Sequence, residues 1–126
     1  MINGAHVLLY SKNADADRAF LKDVLQWKHV DAGHGWLIFK LPPSEVAVHP
    51  QDGESAGRHA GHEMIGAHLY LMCDNLQTTL AALDQKRVKH TEIEQERWGL
   101  RTTIFLPSGA ELGLYQPSHP MATTLA

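Results

Sequence analysis

Two histidines stand at equivalent positions in two similar segments of the chain. Residues 4–13 read GAHVLLYSKN and residues 66–75 read GAHLYLMCDN, so five of the ten positions are identical, including His6 and His68. An imidazole can ligate a metal ion or hydrogen-bond a ligand. Two imidazoles at equivalent positions of a repeat favour a functional site over two inert histidines. His6 and His68 are therefore candidate site residues.

Side chains that alternate with these histidines extend the candidate site. Every second side chain of an extended strand lies on one face, and here that face mixes imidazole, aromatic and thioether groups. Such a mixture is typical of a ligand cavity. On a later strand Tyr115 shares a face with Gly113, which leaves room beside an aromatic wall. The candidate ligand-binding residues are His6, Tyr10, His68, Tyr70, Met72, Gly113 and Tyr115.

Other reactive side chains have simpler interpretations. Arg101 could hold an anionic substrate through paired hydrogen bonds, but an exposed, solvated arginine is the simpler interpretation. His59, His62 and Glu63 look like a metal cluster, yet they lie in a polar, Gly-rich segment typical of a mobile linker. Cys73 alternates with aliphatic residues, as a small buried core residue does. None of these residues enters the predicted site.

Both halves of the chain carry the same order of predicted elements. Apolar runs at 7–10 and 69–72 predict first strands. After them, Asn13 and Asn75 precede apolar residues at helical spacing, which predicts capped amphipathic helices. Strands are then predicted at 36–41 and 45–49 in the first half and at 102–106 and 111–115 in the second, with weaker candidates at 29–32 and 91–95.

These elements predict an α+β fold made of two βαβββ modules in one domain. The modules span about 3–50 and about 66–117. A linker at about 51–65 and a flexible tail at 118–126 complete the chain, because both are polar or unpatterned. Aliphatic residues that alternate with the site, such as Leu9 and Leu71, are expected to lie beneath the helices.

The paired Gly-Ala-His segments, Trp98-Gly99 and the ending LPSGAELGLYQP at 106–117 resemble the vicinal oxygen chelate superfamily. This group contains glyoxalase I, extradiol dioxygenases, fosfomycin-resistance enzymes and bleomycin-binding proteins, and the ending is similar to its Asp-Pro-Asp-Gly-x-x-x-Glu-Leu-x-x-Pro motif. The resemblance covers roughly residues 3–117. It implies an open, curved barrel of mixed β-sheet with helices outside and the site on the concave face.

The resemblance also implies where a metal ion would bind, on the first and last strands of each module. His6 and His68 match the first-strand positions, but Ala47 and Gly113 occupy the last-strand positions and carry no ligand atom. Stable sites normally use three or four protein ligands. We therefore expect no cofactor as the first choice. If a divalent ion is bound, the predicted ligands are His6, His68 and Glu111.

The composition excludes several classes of protein. Of 126 residues, 44% are hydrophobic and 20% charged, which is ordinary for a globular domain and unlike a disordered chain. The net charge of −3, with scattered Lys and Arg, predicts neither nucleic acid nor a membrane surface as a partner. A single cysteine and the absence of a signal-peptide pattern predict a cytoplasmic protein.

Two functions remain open from the sequence. The first is a small-molecule-binding protein that sequesters a hydrophobic or aromatic compound, such as an antibiotic, without metal. The alternative is a divalent-metal-dependent enzyme of the glyoxalase or dioxygenase type, acting on a substrate with vicinal oxygens. The missing last-strand ligands favour the first, and no catalytic residue is identified. Since members of the superfamily usually dimerise, the resemblance implies a homodimer.

Overall fold

The computed structural model describes residue 1, residues 3–50 and residues 58–126. The first part of the predicted linker, residues 51–57, lies outside this range. The chain divides into two compact units. The first consists of Met1–Lys40 and Phe105–Glu111, and the second of Leu41–Ile104 and Leu112–Ala126. No helix in the described part of the chain is both long and apolar enough to cross a membrane.

The first unit contains a helix followed by a β-hairpin. Helix α1 spans Ala14–Ala19 and continues as a π-helix over Phe20–Val24. As predicted, Asn13 caps it, because the Asn13 side chain accepts a hydrogen bond from the backbone of Ala16 at 3.2 Å. Strands β1 (His29–Asp31) and β2 (Leu37–Phe39) pair antiparallel at the positions predicted for two strands of this half.

A buried carboxylate connects three segments of the first unit. Asp17 accepts hydrogen bonds from the hydroxyls of Ser11 at 2.6 Å and Ser108 at 2.7 Å, and from the Ser108 backbone at 3.1 Å. A buried carboxylate is tolerated only with such partners. Asp17 therefore fastens helix α1 to the turn at 106–110.

Two strands predicted for the first half are absent. Neither residues 7–10 nor residues 45–49 form a strand, and Leu9 is 50% exposed. The predicted burial of Leu9 beneath a helix is therefore wrong. An alternating apolar pattern becomes a strand only when a neighbouring strand satisfies its backbone groups. Neither segment has such a neighbour among the described residues.

The second unit begins with a short hairpin and continues into a sheet. Strands β3 (Arg58–His59) and β4 (His62–Glu63) pair antiparallel, so this part of the predicted mobile linker has regular structure. The sheet then combines parallel and antiparallel pairing in the spatial order β5-β8-β7-β6. The four strands of this sheet are β5 (Tyr70–Met72), β6 (Glu94–Glu96), β7 (Gly99–Phe105) and β8 (Glu111–Pro117). Helix α2 (Leu76–Gln85) lies between β5 and β6 in the chain.

Helix α2 and one face of this sheet supply the core of the second unit. The helix begins at Asn75, whose side chain accepts from the Thr78 backbone at 2.9 Å. A further hydrogen bond joins the backbone N–H of Leu76 to the side-chain oxygen of Gln116 at 2.9 Å. The buried residues recur at helical spacing in α2 and at every second position in β7 and β8. They are Leu76, Leu80, Leu83, Thr102, Ile104, Leu112 and Leu114.

Candidate functional site

The opposite face of the second unit's sheet carries four of the predicted site residues. In the parallel pairing of β5 with β8, Tyr70 is opposite Gly113 and Met72 is opposite Tyr115. Residues directly opposite each other share a face. Leu114 belongs to the other face and is only 3% exposed. The alternation read from the sequence therefore separates a packed face from an open one in this unit.

Three aromatic rings meet on the open face, and we call them the aromatic cluster: Tyr70, Trp98 and Tyr115. Their centroids lie 5.1–5.9 Å apart, and the rings meet edge to face at 81–89°. This arrangement brings the positive edge of one ring to the negative face of the next. Tyr70 remains 44% exposed, so the cluster presents an aromatic surface to solvent.

Gly113 makes room for one of these rings. A Cβ atom built on Gly113 would overlap the ring of Tyr70, with the Tyr70 Cγ at 2.8 Å. In this structure the Tyr70 ring occupies the space beside Gly113, and a ligand-binding role for Gly113 stays a prediction. The glycine contributes to the site indirectly, by allowing Tyr70 to lie over strand β8.

The segment after β8 closes one side of the cluster. The ring of His119 stacks on Tyr115 with centroids 5.9 Å apart, and the Tyr115 hydroxyl lies 3.0 Å from His119 Nε2. His119 Nδ1 lies 2.7 Å from the Pro120 carbonyl, and because a carbonyl oxygen only accepts, Nδ1 is the donor in this contact. Ser118 also donates its backbone N–H to the Trp98 carbonyl at 2.9 Å. The start of the predicted flexible tail is thus tied to the site.

Ionisable groups around the cluster are paired or shifted toward their neutral forms. Burial, and then the nearby Glu45 carboxylate, raise the pKa of Tyr115. The Arg101 guanidinium binds Glu96 at 2.9 Å and Glu94 at 2.8 Å. Arg101 is therefore not the solvated arginine expected from the sequence, and its charge is already balanced by two carboxylates. Arg101 is therefore not free to hold an anionic ligand on this face.

The remaining predicted residues lie on other segments of the chain. His6 and Tyr10 are exposed residues of the first unit, and His68 is exposed in the second. Glu111 is exposed as well. Among the described residues, no three His, Cys, Asp or Glu side chains stand close enough to hold a metal ion together. The alternative metal ligands predicted from the sequence, His6, His68 and Glu111, are divided between the two units, and this metal site stays a prediction.

The structure also places three other reactive residues considered from the sequence, His59, His62 and Cys73. His59 and His62 are opposite each other across the β3–β4 hairpin. Cys73 donates from Sγ to the Tyr115 carbonyl at 3.6 Å, and burial raises the pKa of its thiol. A thiol with a raised pKa is a poor nucleophile. Cys73 is half-buried and contacts strand β8, whereas its position in the pattern predicts a buried core residue.

Sequence reasoning missed His119 and Glu45 as parts of the site. His119 follows the last strand by two residues, in a segment without periodicity, and Glu45 lies on a predicted strand that does not form. Neither position carries a local signal that connects it to Tyr115. Trp98 contributes to the resemblance through Trp98-Gly99 but is not among the predicted site residues.

Comparison with solved structures identifies the fold. A crystal structure of TnmS3, an antibiotic-binding protein from Streptomyces, aligns with a TM-score of 0.56 and 16% identity over 94% of this chain and 100% of that one. Lactoylglutathione lyase from Agrobacterium tumefaciens aligns with a TM-score of 0.60 and 17% identity over 90% and 92% of the two chains. The chain has the vicinal oxygen chelate fold.

The vicinal oxygen chelate fold of this chain is thus shared with both binding proteins and enzymes. FosX, a fosfomycin-resistance protein from Listeria monocytogenes, aligns with a TM-score of 0.54 and 14% identity over 94% of this chain and 96% of its own. No family model and no curated protein matches the sequence. At these identities the likeness concerns the fold, and function has to be argued from the site.

Proposed function

We propose that this protein binds an uncharged, planar or hydrophobic small molecule on the open face of its second unit, without a metal ion. The aromatic cluster carries the proposal, since three rings meet on a sheet face opposite the packed core and Tyr70 remains 44% exposed. Ring faces supply large contact area, and they hold flat ligands by stacking.

The chemistry of this face favours holding a ligand over transforming it. Met72 adds a polarisable thioether near the rings. Burial and the Glu45 carboxylate raise the pKa of the Tyr115 phenol, and the Arg101 guanidinium is paired with Glu94 and Glu96. None of these groups is available as an activated nucleophile. The shared fold with TnmS3, an antibiotic-binding protein, supports sequestration of an aromatic compound or antibiotic.

The second candidate is a divalent-metal-dependent enzyme acting on a substrate with vicinal oxygens. It is favoured by the fold shared with a lactoylglutathione lyase. The predicted ligands His6, His68 and Glu111 do not form a donor set among the described residues, so we derive no reaction step from them. Elemental analysis after dialysis separates the candidates. Stoichiometric Zn, Fe, Mn or Ni bound per chain would support the enzyme.

The proposal includes the architecture that the resemblance implies. We propose that two βαβββ modules form an open, curved barrel and that the functional protein is a cytoplasmic homodimer. The internal repeat and the fold shared with the solved structures support the modules. The roles of His6, Tyr10 and His68 as ligand-binding residues remain part of this proposal.

A titration with a neutral aromatic dye, N-phenyl-1-naphthylamine, tests the site. Tyr70→Leu should weaken dye binding by about 0.5–1.5 kcal/mol, because a ring contact is lost. Tyr70→Phe keeps the ring and should bind like the native protein. Equal affinities for the leucine and phenylalanine variants would contradict the proposal. Native mass spectrometry of the purified protein would then identify any co-purifying natural ligand.

A further inference from the structure

A second surface suited to a ligand lies on the β1–β2 hairpin of the first unit, and it does not depend on the aromatic cluster. An open depression of about 360 Å³ crosses the hairpin, a volume within the range of small-molecule sites. The depression is lined by Lys28, His29, Val30, Ile38, Phe39 and Lys40.

The strand register determines which side chains share this surface. Val30 is directly opposite Ile38. The same antiparallel register continues outward, since the Lys40 backbone donates to the Lys28 carbonyl at 2.8 Å. Because every second side chain of a strand lies on one face, both lysines share the face of the Val30–Ile38 pair. We call this surface the lysine face: Val30 and Ile38 form an aliphatic pair, and Lys28 and Lys40 are the next two residues on the same face.

The two charges on the lysine face have no balancing ion pair within residues 3–50 and 58–126. Like charges directly opposite each other on neighbouring strands are destabilising. Among the described residues, neither Lys28 nor Lys40 forms an ion pair. The acid of the hairpin, Asp31, pairs with Leu37 across the strands and so lies on the other face, where its carboxylate accepts from the Gly33 backbone at 2.7 Å.

We propose that the lysine face binds a small amphipathic anion, an apolar body that carries one carboxylate, sulfonate or phosphate group. The exposed Val30 side chain and Ile38 offer the apolar body a surface to cover. An anionic group between the ammonium groups would relieve their mutual repulsion. The aromatic cluster differs in this respect, because its Arg101 is already paired.

Two dyes of similar shape but different charge test this inference. The probes are 8-anilinonaphthalene-1-sulfonate and its neutral counterpart, N-phenyl-1-naphthylamine. The variant Lys28→Gln/Lys40→Gln should bind the sulfonate about 10-fold more weakly, since each exposed charge pair contributes a few-fold. Its affinity for the neutral dye should stay unchanged. The control Lys12→Gln/Lys89→Gln loses the same net charge at exposed lysines elsewhere and should retain sulfonate affinity within about two-fold.

The position of the bound sulfonate supplies a second readout. Methyl NMR signals of Val30 and Ile38 should shift on titration of the native protein. Equal weakening in both double variants would mean that only net charge matters and would overturn the inference, as would unchanged affinity in Lys28→Gln/Lys40→Gln. Signals that shift only at Tyr70 and Tyr115 would assign the sulfonate to the aromatic cluster and overturn it too. Failure of the neutral dye to bind would contradict the proposed function at the aromatic cluster and would leave the inference about the lysine face unchanged.

Discussion

At Gly113 the missing side chain lets the ring of Tyr70 lie over strand β8. We expect Gly113→Ala to displace that ring and to lower the free energy of unfolding by about 1–3 kcal/mol, the range for forced overpacking. Urea denaturation measures the cost. In a Tyr70→Ala background the ring is gone, so the same substitution should cost much less. An equal cost in both backgrounds would show that the ring is not the obstacle.

His90 is a residue whose surroundings favour its charged form. Its Nδ1 lies 2.7 Å from the Thr91 carbonyl and its Nε2 lies 2.8 Å from the Asp84 carboxylate. The Thr91 contact first, and Asp84 in addition, raise the pKa of His90. The ring donates from both nitrogens only when it is protonated.

The raised pKa predicts how stability depends on pH. The folded-state pKa of His90 exceeds the unfolded value near 6.5, so its stabilising contribution is complete below about pH 6.5. That contribution is lost as the pH rises through the folded-state pKa. An NMR titration of the His90 ring should give a midpoint above 6.5, and His90→Gln should reduce the stability difference between pH 6 and pH 8. A midpoint at or below 6.5 would contradict the prediction.

At the scale of the element, strands β5 and β8 have one packed face and one open face. Leu114→Ala should lower the free energy of unfolding by about 2–5 kcal/mol, because it empties a core position. The exposed His68 provides the contrast: His68→Ala should change stability by no more than about 0.5 kcal/mol. Thermal unfolding of both variants tests the assignment of faces.

The ligand role of His68 is a separate prediction at this scale. If its imidazole donates a hydrogen bond to the ligand, His68→Ala should weaken binding by about 0.5–1.5 kcal/mol while the protein stays folded. Titration with a co-purifying ligand or the neutral dye measures this. Unchanged affinity for both would remove His68 from the site. Unfolding of the variant would instead make it a packing residue.

At the scale of the whole molecule, apolar side chains remain exposed outside the core. Val46, Val48 and Ile65 are 91%, 88% and 89% exposed, and two of them lie on a segment that the pattern predicts as a strand. We expect a homodimer of about 28 kDa, twice the 14.0 kDa chain, because unpaired apolar segments favour association. Sedimentation at micromolar concentration tests this. A monomer alone at that concentration would contradict it.

The sequence by itself determined the structural features that depend on residues close together in the chain. Asn13 and Asn75 predict helix starts because a cap satisfies backbone donors only two or three residues away. Alternation predicts that Tyr70 and Met72 share a face, since side chains on a strand alternate whatever it pairs with. The paired segments around His6 and His68 pointed to the superfamily whose fold the solved structures share.

Tertiary structure decided what depends on residues far apart in the chain. Residues 7–10, which include Leu9, have the pattern of a strand, but a strand also needs a neighbouring strand to pair with. The hydrophobic pattern does not indicate which segment of the chain will be that neighbour. The close approach of the Tyr70 ring to Gly113, and the effect of the Glu45 charge on the pKa of Tyr115, join positions about 40 to 70 residues apart. Such contacts follow from packing and strand register, which local sequence does not encode. They bring aromatic side chains from separate segments together on one face of the sheet.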